Sequence, residues 1–461
     1  MHLLRSVSRS RWLRVATAVA LALIPSTLRA QQPPPRDWSD PFKHVRLSAN
    51  GRFWVGFGGQ VRERVESWTG FNFGAPPTAD ADDVFQLNRV LFSADFHFGE
   101  RHRLFVQGKS STVNDRSLAA GSTRPIDYDA LNVQQAYGEA RLSRVGSGTL
   151  TLRLGRQELS YGRERLVSTL DWANTRQTFE GYTGSWAYAR GTLNAFFTRP
   201  VRIRRDSLGV RDSMTTFYGL YGTVRPAGTP VGVDAYWMGL NRRNASFNGT
   251  TGRETRQTLG ARVWGPTRQG ARLDYDIEGA YQLGTLGAGN VAAYMVAVQA
   301  GVNFPRFRGA RVYAGVDYAS GDDSAGGDVQ TYNRLFGNPH GYLGFIDIIG
   351  RPNALDLSAG GTMKLWRELT GQLDVHTFRR ASAGDVIYNK VGAVISGRTF
   401  TGRDTLSTSV GTEYDLTLRY PLGRHFVVSA GYSGFSPGRF IKQTGPGSGV
   451  SFGYTTLQLT L

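Results

Sequence analysis

The sequence predicts an all-β protein: a transmembrane antiparallel β-barrel of about eighteen strands, with long extracellular loops and short periplasmic turns. Three observations predict it. Stretches of roughly ten residues alternate apolar with polar, the connections between them alternate short with long, and the longest apolar run is too short for a membrane helix. Asp415-Leu416-Thr417-Leu418-Arg419-Tyr420 and Arg272-Leu273-Asp274-Tyr275-Asp276-Ile277-Glu278 show the alternation. In a strand, a period of two puts every second side chain on one face. Here one face is apolar and the other carries Arg, Asp and Glu. A soluble sheet would bury the apolar face against a second layer. A membrane barrel turns it to lipid and keeps the charges in a wet lumen.

Taken in order, the strand candidates are 53–68, 84–98, 101–112, 131–144, 148–157, 178–189, 191–203, 214–225, 230–242, 254–265, 270–283, 290–303, 309–320, 354–366, 370–380, 408–420, 424–436 and 448–461. An even number places both barrel ends on the periplasmic side. The even connections are tight, such as Gly99-Glu100, Val145-Gly146-Ser147, Arg190 and Pro421 to Gly423, while the odd ones are mostly long, such as 113–130, 158–177, 321–353 and 381–407. A β-sandwich or propeller has no reason to sort its loops by parity, and no blade-length repeat is visible.

The faces are continuous. Val90, Phe92, Ala94, Phe96 and Phe98 share one side of the second strand, and Arg89, Ser93, Asp95 and His97 the other. Tyr414, Leu416, Leu418 and Tyr420 oppose Glu413, Asp415, Thr417 and Arg419 in the same way. An arginine facing lipid at the bilayer midplane costs about 2–4 kcal/mol, which assigns the charged faces to the lumen. The last strand alternates Leu457, Leu459 and Leu461 to its end, closing on Leu where many outer-membrane barrels close on Phe.

The 461 residues include 58 glycines and no cysteine, which excludes disulfides and thiolate metal sites. Residues 1–30 read as a secretory signal peptide. Arg5, Arg9, Arg11 and Arg14 precede the apolar run Val15 to Ile24, and Leu28-Arg29-Ala30 ends it. Residues 31–50 read as a flexible leader and 51–461 as the barrel. Removing the five arginines of residues 1–30 takes the net charge from +18 to +13. A balance this basic points to polyanions. Nucleic acid is not expected for an exported chain without a nucleic-acid motif, which leaves acidic polysaccharide, lipopolysaccharide phosphate and small anions.

The most informative segment begins Leu152-Arg153-Leu154-Gly155-Arg156. There Arg156 has the outward parity of the leucines. Either Gly155 marks a bulge that turns it inward, or Arg156 lies above the lipid at the extracellular rim. "GRQELSYGRERLVS" followed by "DWANTRQTFEG" resembles the signature of the alginate export family of outer-membrane barrels. "FQLNRVLFSADFHFGERHRLFVQGKSS" at 85–111, "LNVQQAYGEARL" at 131–142, "YNRLFGNPHGYLGFIDIIGRPN" at 332–353 and "GTEYDLTLRYPLGRHFVVSAGYSGFSPGRFI" at 411–441 are similar to other parts of that family. The resemblance implies an eighteen-stranded barrel in the bacterial outer membrane, with an electropositive, arginine-lined constriction narrowed by inward-folded loops. No enzymatic activity is expected: a barrel enzyme acting on lipid or glycan would need a Ser/His pair near the lipid rim on facing strands, and the sequence shows no such motif.

The implied function is passive passage of an anionic, alginate-like polysaccharide, in the export direction. The alternative is an anion-selective uptake porin for small organic acids. A polyuronate carries one carboxylate per sugar, and arginine holds carboxylates through a planar, permanently charged fork. Several such rungs, none too tight, let a chain slide from one to the next. Strand parity nominates Arg62, Arg64, Arg89, Arg153, Arg272 and Arg419, with Asp95, Asp274, Asp276 and Asp415 as counter-charges; the signature adds Arg156, Arg165 and Arg176. For any one of these, a structural ion pair on the lumen wall is an equal expectation. The expected partners are the polysaccharide or small anions, outer-membrane lipid and a periplasmic export or modification complex; a monomer is expected.

Other signals are discounted. Gly434-Phe435-Ser436-Pro437-Gly438 matches a nucleophile-elbow pattern but reads as a turn with no helix behind it. Asp274-Tyr275-Asp276-Ile277-Glu278 alternates along a strand and cannot wrap one ion. No cofactor is expected. Gly321 to Asp328 is the one calcium candidate, in an extracellular loop, and a flexible acidic loop is the commoner outcome.

Overall fold

The computed structural model describes residues 37–75, 81–118, 124–205, 207–266 and 270–461; the expected signal peptide and most of the leader lie outside them. Residues 37–41 form a small turn, in which the Ser39 N–H donates to Asp37 Oδ1 at 2.9 Å. The strands are β1 Val45–Arg46, β2 Phe53–Thr69, β3 Asp83–Phe98, β4 His102–Asn114, β5 Asp129–Val145, β6 Gly148–Gln157 and β7 Phe179–Tyr188. They continue with β8 Gly191–Arg204, β9 Ser207–Arg211, β10 Thr215–Val224, β11 Gly232–Phe247, β12 Thr250–Gly265, β13 Leu273–Leu286 and β14 Gly289–Phe304. The series ends with β15 Ala310–Ala319, β16 Ala354–Trp366, β17 Leu369–Arg380, β18 Ser409–Leu422, β19 Phe426–Pro437 and β20 Val450–Thr460.

Among the described residues, eighteen of these strands close into one antiparallel barrel, with β20 pairing β2 from Gln60↔Thr460 to Thr69↔Ser451. All eighteen expected strands are present. The short β1 pairs with the start of β2, and β9 turns back on β8 to form an extracellular hairpin.

Burial is inverted relative to a soluble protein. Phe92, Leu154, Tyr182 and Leu373 are each more than half exposed, while Arg89, Arg256 and Asp356 are fully buried. The apolar belt faces lipid and the charges face a lumen.

Two expectations about connections are corrected. The odd connections after β11 and β13 are tight turns, at Asn248-Gly249 and Gly287-Ala288. Asn248 (φ 42°) and Gly249 (φ 89°) are both left-handed, as a hairpin turn with the right-handed strand twist requires. The dipeptide Asn-Gly was the available signal; β11 and β12 therefore rise higher than their apolar stretches suggest. Likewise, Ser436 belongs to the ladder, opposite Thr412, and a short helix Arg439–Thr444 does follow it.

The long loops do not stand out into solvent. Leu343, Ile346, Ile349, Ile387, Ile395, Phe440 and Ile441 bury themselves against Phe85, Leu87, Phe378 and Phe452. These wall residues share the lumen-facing parity of their strands. The protein's apolar core is therefore built inside the barrel mouth, from loops packed on the inner wall.

Candidate pore constriction

Loop 158–178 crosses the lumen and is held at both ends by charge. On one wall, Arg62 donates to Asp171 O at 2.7 Å and Ala173 O at 3.0 Å, and Arg64 to Trp172 O at 2.7 Å. Arg89 donates to Asp171 O at 2.8 Å and pairs with the Asp171 carboxylate at 2.8 Å. Asn174 Nδ2 donates to the carbonyls of Asn88, Thr112 and Asp127 at 2.8–3.1 Å. An irregular segment inside a barrel has carbonyls without ladder partners, and the five-donor guanidinium fork can satisfy several at once. On the opposite wall, Arg165 Nη1 pairs with Asp276 at 2.6 Å and Glu278 at 3.0 Å, both on β13.

Loop 320–353 lies beside it. Gln282 on β13 donates to Asn333 O and accepts from Asn333 N–H, both at 2.8 Å, and Ile346 N–H donates to Glu413 on β18 at 2.8 Å. Arg351 pairs with Asp317. The two loops are joined by backbone bonds: Ser168 N–H to Phe336 O at 3.0 Å, Phe336 N–H to Leu166 O at 3.0 Å, and Asn338 N–H to Glu164 O at 2.8 Å. Loop 381–408 adds Gly350 N–H to Tyr388 O at 2.7 Å and Lys390 to Asp347 at 3.2 Å.

Among the described residues, two of the cavities left between these loops and the wall matter here. The outer one, about 370 Å³, is walled by Trp68, Phe71, Trp172, Phe345 and Phe452, with Arg64, Arg116, Arg124 and Lys390 among its polar groups. The inner one, about 250 Å³, carries Arg163, Arg165, Arg311, Asp317, Asp374 and His376. Trp172 stacks on His340 with ring centroids 4.0 Å apart, and Phe345 meets His340 edge-on at 4.5 Å, so three rings lie between the two cavities.

The loop charges are strongly coupled. Burial opposes ionisation of Asp347, but Lys390 and His340 outweigh it and hold the carboxyl down at about 2. Burial, then the like charge of Arg124, pushes Arg116 down to about 10. Burial opposes ionisation of Asp171 too, yet Arg89, Arg176 and Arg62 keep it below the usual carboxylate range.

The nominated residues distribute as follows. Arg62, Arg64 and Arg89 are inward but not free rungs; the expectation of open guanidinium groups there is corrected, because loop carbonyls occupy them. Arg165 and Arg176 are loop anchors, Arg176 bonding Glu158 at 2.7 Å and Asp171 at 2.9 Å. Arg153 faces the lumen, paired with Glu139 at 2.7 Å and lying 4.1 Å over the Tyr137 ring. Asp95 pairs with Arg103 at 2.6 Å and Asp274 with Arg311 at 2.6 Å. Arg272 precedes β13 rather than lying in it, and is exposed at the periplasmic end; Arg419 is exposed near the same end of β18. Asp415 is no counter-charge to an arginine. It sits deep in a carboxylate group with Glu413 and 4.0 Å from His376.

At Gly155 the ladder runs on without a register shift through Tyr137↔Gly155 and Ala136↔Arg156. Arg156 therefore keeps the outward parity, at the extracellular rim, bonded to Glu180 at 2.6 Å. Its nomination as pore-lining is corrected on that account. Arg103 and Arg311 were missed although their strand parity was readable. Arg116, Arg124, His340, Asp347 and Lys390 were missed because they lie in loops, where no period exists to read. Among the described residues no group of three or more His, Cys, Asp or Glu is placed to hold a metal. In the calcium candidate, Asp328 instead accepts from the Asn290 N–H at 2.8 Å.

A closed, lipid-belted barrel with loops folded into a wet lumen is a channel of the bacterial outer membrane. The alginate export family matches residues 53–454, and the chain belongs to that family. No curated protein matches it. Among solved structures it is similar to OpdO of Pseudomonas aeruginosa, with a TM-score of 0.59 at 12% identity, over 88% of this chain and 97% of that one. OccAB2 of Acinetobacter baumannii gives 0.57 at 12% identity, over 88% and 98%. The outer membrane protein OpdK of Pseudomonas aeruginosa gives 0.53 at 12% identity, over 88% and 98%. At such identities the likeness is one of fold.

Proposed function

We propose that this channel passes an anionic polysaccharide of the alginate type, in the export direction. The observation that carries the reading is the outer cavity. Arg116 and Arg124 converge on one carboxylate, Asp127, at 3.5 and 2.8 Å, and Arg116 Nε is buried without a hydrogen-bond partner. Four cations, Arg64, Arg116, Arg124 and Lys390, there meet three carboxylates, Glu66, Asp127 and Asp347. Such a surplus favours a carboxylate ligand. The flat ring walls beside it suit the apolar faces of pyranose rings.

Below the partition, the partly exposed Arg163, Arg311, Arg153 and Arg103 offer successive contacts. Each except Arg163 has a carboxylate within 2.7 Å, and Arg163 has one at 3.6 Å. That moderates affinity and leaves release possible. Uptake of small organic acids is the second reading, and the ring partition favours it, since a polymer must displace Trp172 or His340 to pass.

Purified protein in a planar bilayer should pass anions preferentially, and an oligouronate should block the current where a neutral glucan of equal length does not. Cation selectivity would sink both readings. Block by a small carboxylate but not by the oligouronate would favour the second.

A further inference from the structure

The outer surface near β6–β8 carries a feature that the transport reading does not use. Leu154, Tyr182 and Phe197 lie side by side in the ladder and are each more than half exposed to lipid. Two residues further toward the extracellular end, at the same outward parity and about 7 Å higher, stand Arg156, Glu180 and Arg199, again side by side. The apolar belt therefore stops between these two rows, and the second row lies at the headgroup level of the outer leaflet.

Arg156 uses Glu180 and the Gly209 carbonyl, at 2.6 and 2.8 Å, which also pins the β8–β9 hairpin to the wall. Arg199 then has no carboxylate partner among the described residues. One step higher, Val201 pairs with Arg211, which is exposed and likewise has no ion-pair partner among the described residues. Arg211 and Arg199 are diagonal neighbours on one face, with Cβ atoms roughly 7 Å apart. Two guanidinium forks at that spacing can share the oxygens of one phosphate. Beneath them, Gly138, Gly184 and Ala195 leave a furrow of about 870 Å³ on the lipid face, bordered by Leu152, Leu154 and Phe197.

The geometry points to a binding site for a phosphate-bearing acylated lipid of the outer leaflet: the phosphate lies between Arg199 and Arg211, and an acyl chain lies in the furrow. The site is on the opposite face of the wall from the lumen, so it stands or falls separately from the transported substrate.

The test is titration of the purified full-length protein in detergent, followed by native mass spectrometry. Lipid A with its phosphates and the same lipid A after phosphatase treatment are the two ligands. The phosphorylated form should bind more tightly. Arg199→Gln with Arg211→Gln should weaken it by roughly 30-fold, the combined effect of two surface charges, and leave bilayer conductance unchanged. Equal binding of the two lipids overturns the proposal, as does a double variant that binds like the parent. Displacement by an equal concentration of inorganic phosphate overturns it also, because the site would then hold the ion and not the lipid.

Discussion

Asn174 and Trp172 have different parts in the inserted loop. Asn174 Nδ2 lies within hydrogen-bond reach of three carbonyls from three different segments and shares its two hydrogens among them. Replacing it by Ala leaves buried carbonyls unpaired, at a cost of about 1–3 kcal/mol. Asn174→Ala should leave the barrel folded and let trypsin reach Arg165 and Arg176, which the parent protects; digestion followed by mass mapping checks this. Trp172 is different, because it closes the space between two cavities and does not hold the loop ends. Trp172→Ala should raise single-channel conductance and also lower the melting temperature, because the ring packs on Tyr454 and lies 4.1 Å from the Arg64 guanidinium. An unchanged conductance would mean that the ion path bypasses the ring partition. At this scale the sequence was informative about type and poor about role. Arg62 was readable as inward from parity alone, but the carbonyl it holds lies 109 residues away, and no local pattern reports that distance.

The loops act as elements because they are tied to each other as well as to the wall. Asp347 is the ionic knot between loops 320–353 and 381–408, with His340 and Lys390 each at 3.2 Å. Its pKa is depressed on folding, from about 4 to about 2. The stability it contributes is thus fully present above its unfolded pKa, and is lost as pH falls through the folded one. The drop corresponds to about 2.5 kcal/mol. Current flicker should therefore grow between pH 4 and pH 2, and Asp347→Asn should flicker already at pH 5. If the variant and parent have the same pH profile, the knot is not what steadies the loops. The strands themselves were legible almost residue by residue, since side-chain alternation is a local property. The loop paths were not, because a polar loop in water and a polar loop in a wet lumen have similar compositions.

For the whole molecule, the decisive fact is that burial is inverted. Leu154 is more than half exposed, yet it belongs to the belt that lipid covers. Leu154 lies in the uppermost row of that belt, one outward step below Arg156, so Leu154→Arg should cost about 0–1 kcal/mol against the about 2–4 kcal/mol of an arginine at the midplane; urea-induced unfolding in lipid vesicles measures it. A loss of the full midplane size would move the edge of the belt above Leu154. The net charge of +13 after removal of residues 1–30 gives the second whole-molecule expectation. Anion selectivity should weaken as salt rises from 0.1 to 1 M, because the screening length falls from about 10 to about 3 Å. Reversal-potential measurements at both concentrations check it.

The sequence by itself determined the strand number, the face each strand turns to lipid, the membrane and the family, because each rests on short-range periodicity or on a contiguous signature. Only the tertiary structure decided that loops 158–178 and 320–353 enter the lumen. It also showed that Arg62 and Arg89 hold backbone rather than ligand, and that Arg156 faces outward. Those outcomes depend on carbonyls and carboxylates that meet across the barrel, and closure of the sheet is what brings them within hydrogen-bond reach.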